Sequence, residues 1–268
     1  MFSYRRSLIM HAWHWQTWQG KPYLTCSLLE PWQHGFFTQH FSPNAPLSLT
    51  EALHPQAEVY RTQQVHGNVV VETNTIVPLS ASVAEFHPAD GLLTRQSQHA
   101  VWVCSADCTP VLIGDDRTGQ VAAIHSGWRG TAAKIVPRAI VQLQAQGSQI
   151  EDLRVAMGPA ISGEVYQVST DVAVLVGATI LDGEDDPQTC LDRLVALPNS
   201  PVLRDPEPDR VRLDIRACIA LQLDRLGLSP EQISIAPHCT YQDSKNFFSY
   251  RRTGQKNVQW SGIVSGNR

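Results

Sequence analysis

The chain has 268 residues, of which 43% are hydrophobic and 17% charged, and its formal net charge is −4. This composition can bury a core and excludes compositional disorder, while a slightly acidic chain offers no basic surface for nucleic acid or anionic lipid. No apolar run approaches the roughly 18 residues that a membrane-spanning helix needs, so a small-molecule substrate is favoured.

The N-terminal half is predicted to be rich in short strands. Residues 21–77 contain brief apolar runs separated by polar loops, such as the loop at 42–46. The segment Gln63–Val71 ends in three valines and is predicted as a strand. Three further apolar strands are expected: Ala100–Val103, Val111–Ile113 and Gln120–Ile124.

The following segment, Thr131–Ala145, is predicted as a helix because Ile135, Ala139 and Leu143 are spaced four residues apart. Pro137 interrupts this pattern and indicates either a kink or a later helix start.

The C-terminal half alternates strands with helices. Strands are expected at Leu153–Met157 and Ile233–Ala236, and helices near Thr170–Thr179 and Asp214–Leu226. Residues 183–210 are rich in Asp and Pro and are predicted to form an excursion loop. Because strands and helices interleave without a linker, we expect a mixed α/β (α+β) layered fold in a single domain over residues 1–268.

The six cysteines are expected to be reduced thiols. The apolar run before Trp13 is too short for a secretory signal, and Met10 is an alternative start. A chain of this length without such a signal is typical of the cytoplasm, which is therefore the predicted compartment. Each cysteine is then a candidate ligand or nucleophile, although many buried cysteines are simply small core residues.

Three metal-capable side chains each lie beside a short apolar strand. They are His66 in QQVHG (63–67), Cys108 in ADCTP (106–110) and His125 in IHSGWRG (124–130). Two imidazoles and one thiolate match a catalytic zinc site that keeps its fourth position open. The three residues are far apart along the chain, unlike a local metal motif, so hydrogen-bonded core residues are the alternative interpretation.

Two polar residues near these motifs are candidates for catalysis. Arg129 follows a Gly-Trp pair and precedes the predicted helix, where a guanidinium and backbone N–H groups favour binding of phosphate or carboxylate. Stacking of Arg129 on Trp128 is the structural alternative. Asp107 is a candidate base or a partner that orients a ligand histidine, and alternatively caps a turn.

The C-terminal region adds a candidate nucleophile, Cys239. Its neighbour His238 is not expected to activate it, because adjacent side chains on a strand point to opposite faces, so His125 or His66 would have to do so. Arg251 and Arg252, which follow two phenylalanines and a tyrosine, are candidates for anion binding, with solvated surface arginines as the alternative.

Several well-known motifs are absent from the sequence. There is no Walker loop, no Gly-x-Gly-x-x-Gly, no nucleophile elbow and no His-Glu-x-x-His. The Pro-Cys-x-x-Cys signature of zinc nucleobase deaminases is also missing. No His-x-His pair occurs, which disfavours a multicopper cluster.

With these motifs the sequence resembles the YfiH-like family, whose members are labelled polyphenol oxidase or laccase-domain proteins and include bacterial purine nucleoside phosphorylases. The resemblance is carried by QVHG (64–67), ADGLLT (89–94), SADCTPVLI (105–113), AAIHSGWRGTAAKIV (122–136), MGPAISGEVYQV (157–168) and CTYQDSKNFFSYRRTG (239–254). It implies a mixed α/β fold akin to Cys-His hydrolase and deamidase toxin domains. It also maps the family's zinc ligands onto His66, Cys108 and His125.

The activity implied by this resemblance is zinc-dependent phosphorolysis of purine nucleosides (adenosine, inosine or methylthioadenosine), with adenosine deamination as an activity of some members. A purine nucleoside and phosphate would then be the partners. Arg129 would be the main phosphate ligand, with Arg251 and Arg252 as second choices. Asp107 and Cys239 would act in acid–base chemistry or positioning.

Three alternatives to phosphorolysis remain open at this point. One is a hydrolase that edits serine-containing peptidoglycan precursors, and another is a copper-dependent polyphenol oxidase. The third is a metal-stabilised binding protein without turnover. The chain also lacks the Gly-Gly-x-Ser segment expected after Thr38 and reads Gly254-Gln255 where Gly-Arg is usual, and both departures bear on substrate choice.

Overall fold

The computed structural model describes residues 11–79, 85–183 and 186–266, so the alternative start at Met10 lies outside the described residues. Fifteen strands occur in these ranges: β1 Trp13–Trp18, β2 Lys21–Cys26, β3 His34–Phe37, β4 Glu58–Arg61, β5 Val70–Glu72, β6 Gly91–Thr94, β7 His99–Ser105, β8 Thr109–Asp115, β9 Val121–Ser126, β10 Leu153–Met157, β11 Gln167–Ser169, β12 Val202–Arg204, β13 Arg210–Leu213, β14 Ile233–Ile235 and β15 Gln259–Val264. The same ranges contain seven α-helices: α1 Pro46–Leu53, α2 Trp128–Ala132, α3 Ile135–Ala145, α4 Thr170–Gly177, α5 Pro187–Ala196, α6 Ile215–Asp224 and α7 Tyr250–Thr253.

The strands form two six-stranded sheets and a small third one. The first sheet has the order β1-β2-β3-β15-β7-β4 and the second the order β14-β10-β8-β9-β6-β5. The third consists of β11-β13-β12. None of the helices in the described ranges is long and apolar enough to cross a membrane.

The two large sheets pack face to face. Val101 and Val103 of β7 point into the same apolar cluster as Leu112 of β8 and Ala123 of β9. Successive side chains on a strand point to opposite faces, so the intervening residues lie on the outer faces. This alternation places one hydrophobic core between the sheets.

Helices cover the outer faces of both sheets. Trp102 of β7 packs with Leu49 and Leu53 of α1 on the first sheet. On the second sheet, Val111 and Ile124 pack with residues of α3, α4, α5 and α6. The result is the predicted mixed α/β layered fold. Because both faces of the second sheet are covered, β8 and β9 are buried along their whole length.

The predicted helix over Thr131–Ala145 is divided into two. Lys134 adopts a left-handed conformation, with φ of 57°, between α2 and α3. Pro137 is the third residue of α3, in the first turn, where a residue without an N–H group removes no intrahelical hydrogen bond. The proline therefore marks the later helix start rather than a kink.

The prediction that residues 183–210 form a loop is wrong, because this region contains α5 and β12. The side chain of Asp186 accepts hydrogen bonds from the backbone N–H groups of Gln188 and Thr189, and Pro187 follows as the first helical residue. Asp-Pro is here a helix start signal rather than a loop signal.

Two predictions in the N-terminal half also need correction. The predicted strand Gln63–Val71 is mostly a loop, since β5 begins only at Val70. The predicted run of strands over 21–77 is interrupted by α1, whose first residue is Pro46. The loop at 63–69 carries His66, and it is this irregular backbone that positions the residue.

The centre of the first sheet allows no side chain at Gly262. This residue of β15 pairs with Trp102, and a Cβ atom at Gly262 would lie 2.4–2.6 Å from the indole ring. We expect Gly262→Ala to lower the free energy of unfolding by about 1–3 kcal/mol because the buried indole would have to shift. Gly266→Ala, where a Cβ meets nothing within 4 Å, is the matched control. Equal denaturant midpoints for the two variants would contradict this packing.

Candidate metal centre

His66, Cys108 and His125 converge at one end of the second sheet. Their potential ligand atoms all lie within 4.8 Å of one another. Cys108 immediately precedes β8, His125 lies in the antiparallel neighbour β9, and His66 comes from the loop between β4 and β5. The two imidazole rings are nearly perpendicular, with centroids 4.9 Å apart. The structure thus brings together three residues that are distant in sequence.

The donor set fits a single transition-metal ion. A tetrahedral zinc with Zn–S near 2.3 Å and Zn–N near 2.0–2.1 Å separates its ligand atoms by roughly 3.3–3.6 Å, so the observed cluster needs only small side-chain rotations. Copper also accepts imidazole and thiolate ligands. In the part of the chain that the structure describes, no second group of three or more such side chains comes together in this way.

The electrostatics of the site favour a thiolate. Burial alone would raise the pKa of Cys108, but hydrogen bonds with His125 and His66 outweigh it and lower the pKa to about 6. For His125, burial would lower the pKa, whereas hydrogen bonds to Asp90 and Cys108 raise it to about 9. The thiolate is the form of cysteine that binds metals.

Asp90 is a key residue that the sequence analysis missed. Its fully buried carboxylate accepts hydrogen bonds from His125 Nδ1 and the His66 N–H through Oδ1, each at 2.9 Å. Through Oδ2 it accepts from the N–H groups of Gly67, at 2.7 Å, and Val65, at 3.2 Å. The contact to Nδ1 leaves Nε2 of His125 available as a ligand. One side chain therefore orients one ligand and holds the loop of another.

Gln64 provides a second anchor for the same loop. Its side-chain amide donates to the backbone carbonyl of Cys104 at 2.8 Å and accepts from the Cys104 N–H at 2.7 Å. The side chain thus replaces a neighbouring strand as the hydrogen-bonding partner of β7. This pairing helps to fix His66, whose backbone is left-handed with φ of 60°.

Gly127 allows Cys108 to approach the histidines. A Cβ atom at Gly127 would lie 2.7 Å from Cys108 Sγ and 3.8 Å from His66 Cδ2. Position 127 therefore requires a glycine, because any side chain there would occupy the space of the Cys108 sulfur.

Asp107 does not contact a ligand histidine through any hydrogen bond in the described structure. Its Oδ1 accepts from Thr240 Oγ1 and its Oδ2 from the backbone N–H of Arg251, both at 2.7 Å. It also has a positive φ of 93° immediately before Cys108. Its carboxylate therefore links residues 240–251 to the loop that carries Cys108. The residue that orients a ligand histidine is Asp90.

The three candidate arginines differ in what their guanidinium groups contact. Arg129 is exposed and stacks over Trp128 at 4.2 Å, with no hydrogen bond or ion pair among the described residues. Arg251 stacks over Tyr166 at 4.9 Å and donates to the carbonyl of Gln167. Both therefore keep guanidinium donors that have no partner among the described residues.

Arg252, in contrast, is engaged by the backbone. It donates to the carbonyl groups of Thr240, Tyr241 and Phe247 at 2.6–2.8 Å. These three bonds close the segment 240–252 on itself. The geometry gives Arg252 a positioning part in this loop.

Tyr166 lies among the charged groups of the site and was not singled out in the sequence. Burial, followed by the charge of Cys108, raises the pKa of its hydroxyl to about 12, while Arg251 and Arg129 act in the opposite direction. The phenol is therefore protonated at neutral pH. It keeps its proton as a hydrogen-bond donor and lies against Arg251.

Cys239 forms no hydrogen bond with a histidine among the described residues. Its sulfur accepts a hydrogen bond from the Ser162 N–H at 3.3 Å, and the residue is 8% exposed. The neighbouring His238 packs against Trp15, with ring centroids 5.2 Å apart.

The fold and the site define a layered α/β protein with one His-Cys-His centre. The model of the family described as multi-copper polyphenol oxidoreductase laccase matches residues 43–265, and the chain belongs to this family. The solved structure of YlmD from Geobacillus stearothermophilus superposes with a TM-score of 0.77 at 24% identity, over 94% of this chain and 99% of YlmD. The expected YfiH-like membership is confirmed.

The curated relatives that carry enzyme names include two with different activities. A purine nucleoside phosphorylase of Synechocystis sp. is 51% identical over 256 residues, covering 94% of this chain and 97% of the relative. An adenosine deaminase named RL5, from an unknown prokaryotic organism, is 27% identical and covers 69% of this chain and 65% of its own length.

The close approach at Gly127 generates a test of the centre. We expect Gly127→Ala to displace Cys108 Sγ and weaken zinc binding about tenfold or more, because the new methyl group would occupy the space of the sulfur. Zinc affinity is measured by competition with a chromogenic chelator. Gly67→Ala is the control, since its Cβ would meet Asp90 only at an ordinary 3.5 Å. Equal zinc affinity in the two variants would contradict the assigned geometry.

The role of Asp90 generates a second test. Asp90→Asn removes the charge and leaves an N–H group facing backbone donors, so zinc affinity should fall about 10–100-fold. Asp115→Asn is the matched control, because Asp115 is equally buried at the opposite end of β8, where it accepts from the N–H groups of Arg117 and Thr118. If both variants lost zinc affinity to the same degree, general destabilisation rather than ligand orientation would be the cause.

Proposed function

We propose that this protein is a zinc-dependent purine nucleoside phosphorylase. The observation that carries the proposal is that two arginines with donors unused among the described residues lie on segments adjoining the ligand candidates: Arg129 in α2, which follows β9, and Arg251, whose N–H donates to Asp107 next to Cys108. The 51% identity to a relative named purine nucleoside phosphorylase, over nearly the whole of both chains, supports it. The substrates would be a purine nucleoside and inorganic phosphate.

In this proposal His66, Cys108 and His125 hold the zinc. When bound, zinc would supply a Lewis acid that polarises a substrate oxygen. The identity of the metal is tested by elemental analysis of the purified protein, with one zinc per chain as the expected result. Several coppers per chain would favour the oxidase named in the family description.

Phosphorolysis joins a phosphate oxygen to C1′ of the sugar as the bond from C1′ to the purine nitrogen breaks. The sugar passes through an oxocarbenium-like state, so placement of the phosphate dominates the rate. Arg129 would bind phosphate with the guanidinium donors for which the described residues offer no partner. Arg251, which stacks over the Tyr166 ring, would add a second positive charge.

The remaining side chains would position the substrates and the loop that binds them, or donate a proton or hydrogen bond to a substrate. Tyr166, protonated at neutral pH, would donate a hydrogen bond to the leaving purine or to phosphate. Asp107 would fix Arg251 through its bond to the Arg251 N–H. Arg252 would hold the loop that carries Arg251, while Cys239 would contribute to the site through its contact with Ser162 rather than as a nucleophile paired with a histidine.

Adenosine deamination is a second candidate activity, favoured by the similarity to the adenosine deaminase RL5. Deamination releases ammonia and needs no phosphate, so the two activities separate in one assay. We also propose a cytoplasmic location, supported by the six cysteines, which all lie within the described residues and are free thiols.

The assay that tests the proposal incubates purified protein with adenosine, inosine and methylthioadenosine, with and without phosphate. We expect free base and a sugar 1-phosphate that form only when phosphate is present. Base release that is independent of phosphate, or turnover of a peptidoglycan precursor without turnover of nucleosides, would contradict phosphorolysis.

Arg129→Ala tests the phosphate site directly. The KM for phosphate should rise roughly 10–150-fold, because a hydrogen bond to a charged group contributes about 1.5–3 kcal/mol. Arg95→Ala is the control, since Arg95 is exposed in the turn after β6, at the end of that strand away from Asp90. An unchanged KM for phosphate in Arg129→Ala would show that Arg129 does not bind phosphate.

A further inference from the structure

A cavity separate from the metal centre lies between the β1–β2 turn, the helical turn at 39–41 and the segment 238–246. Its volume is about 570 Å³, within the roughly 300–1,000 Å³ typical of small-molecule sites. Among the described residues that line it there is neither a metal ligand nor any of the three arginines of the proposed active site.

One wall of this cavity is an exposed aromatic ring. Trp15 is 44% exposed. Its indole makes an edge contact with the His238 ring and a stacked contact with the Phe247 ring, whose centroid lies 6.3 Å from that of the indole. A large ring that is fixed by its neighbours and still open to solvent is a platform on which a flat ligand ring can stack.

Two lysines line the same cavity without acidic partners. Neither Lys21 nor Lys245 forms an ion pair among the described residues, and the Lys21 ammonium group lies 5.6 Å from the Phe41 ring centroid. The one carboxylate in the lining, Asp243, accepts hydrogen bonds from the backbone and side-chain N–H groups of Asn246, at 3.1 and 2.9 Å. The lining therefore holds two lysines against one carboxylate, a net formal charge of +1 with its histidines neutral, and it favours an anion.

The segment that carries Lys245 is held in place. Gln39 Nε2 donates to the carbonyl groups of Ser244 and Lys245 at 2.8 Å, and the Gln39 N–H donates to the carbonyl of Asn246 at 2.9 Å. A ligand would therefore order little additional backbone on binding, which lowers the entropic cost of association.

We propose that this cavity binds a small anion that carries an aromatic ring and a phosphate, such as a nucleoside monophosphate. The ring stacks on Trp15 and the phosphate lies between Lys21 and Lys245. A nucleoside without a phosphate would make only the stacking contact with Trp15. Inorganic phosphate would make only the contacts with the two lysines. The site does not depend on the metal centre or on the proposed activity.

Isothermal titration of the full-length protein with AMP, in phosphate-free buffer, tests this site. AMP should bind the wild type and also Arg129→Ala. Because adenosine and inorganic phosphate are also substrates of the proposed active site, they are titrated into the wild type, Trp15→Ala and Lys245→Gln, and any binding that these two substitutions remove should be about tenfold weaker than that of AMP, or weaker still. Trp15→Ala and Lys245→Gln should each weaken AMP binding about tenfold, the range expected for loss of one stacked ring or one phosphate contact. Trp15→Phe should retain binding because it keeps an aromatic face, and Lys256→Gln, at an exposed lysine outside the lining, should have no effect.

Four results would overturn the proposal. They are the absence of AMP binding, an AMP affinity that is unchanged in both Trp15→Ala and Lys245→Gln, loss of AMP binding in Arg129→Ala but not in Trp15→Ala, and inorganic phosphate that binds as tightly as AMP and loses this affinity in Lys245→Gln. The third result would place the nucleotide at the metal centre instead.

Discussion

The four hydrogen bonds accepted by the buried carboxylate of Asp90 connect the two histidines of the metal centre. One bond fixes the ring of His125, which is rigid because it lies in a central strand. The other three bind the N–H groups of residues 65–67, a loop with no strand of its own. Since a loop that lacks a regular partner would otherwise leave its backbone donors unsatisfied, the position of His66 depends on this carboxylate.

The packing of the two large sheets positions the third ligand candidate, Cys108. β7 belongs to the first sheet and β8 to the second, so the three residues between them cross from one sheet to the other. Cys108 is the last of these residues and lies opposite the end of β9, where Gly127 leaves room for its sulfur. The packing of the two sheets thus sets the distance between the cysteine and His125.

Much of this arrangement could be predicted from the sequence, and the limits have physical causes. The strand Leu153–Met157 and the three metal-binding candidates could be identified because apolar runs and unusual polar residues beside them are local signals. The role of Asp90 could not, because an aspartate before a strand does not show which N–H groups it will meet after folding. The residue pair Asp186-Pro187 was read as loop composition although it starts α5, since capping and turn signals use the same residues.

The C-terminal segment 238–252 links two parts of the molecule. Its backbone is bonded by the carboxylate of Asp107, the residue before Cys108, and by the guanidinium of Arg252, while His238 and Lys245 contribute to the cavity beside Trp15. A ligand in that cavity and a substrate at the metal centre would therefore contact the same stretch of chain.

X-ray absorption spectroscopy of the zinc-loaded protein tests most directly whether the three side chains share one ion. The structure predicts a shell with one sulfur at about 2.3 Å and two imidazole nitrogens at about 2.0–2.1 Å, together with one further light atom. A zinc environment without sulfur, or one that is unchanged when Cys108 is replaced by serine, would contradict the assignment of the metal centre.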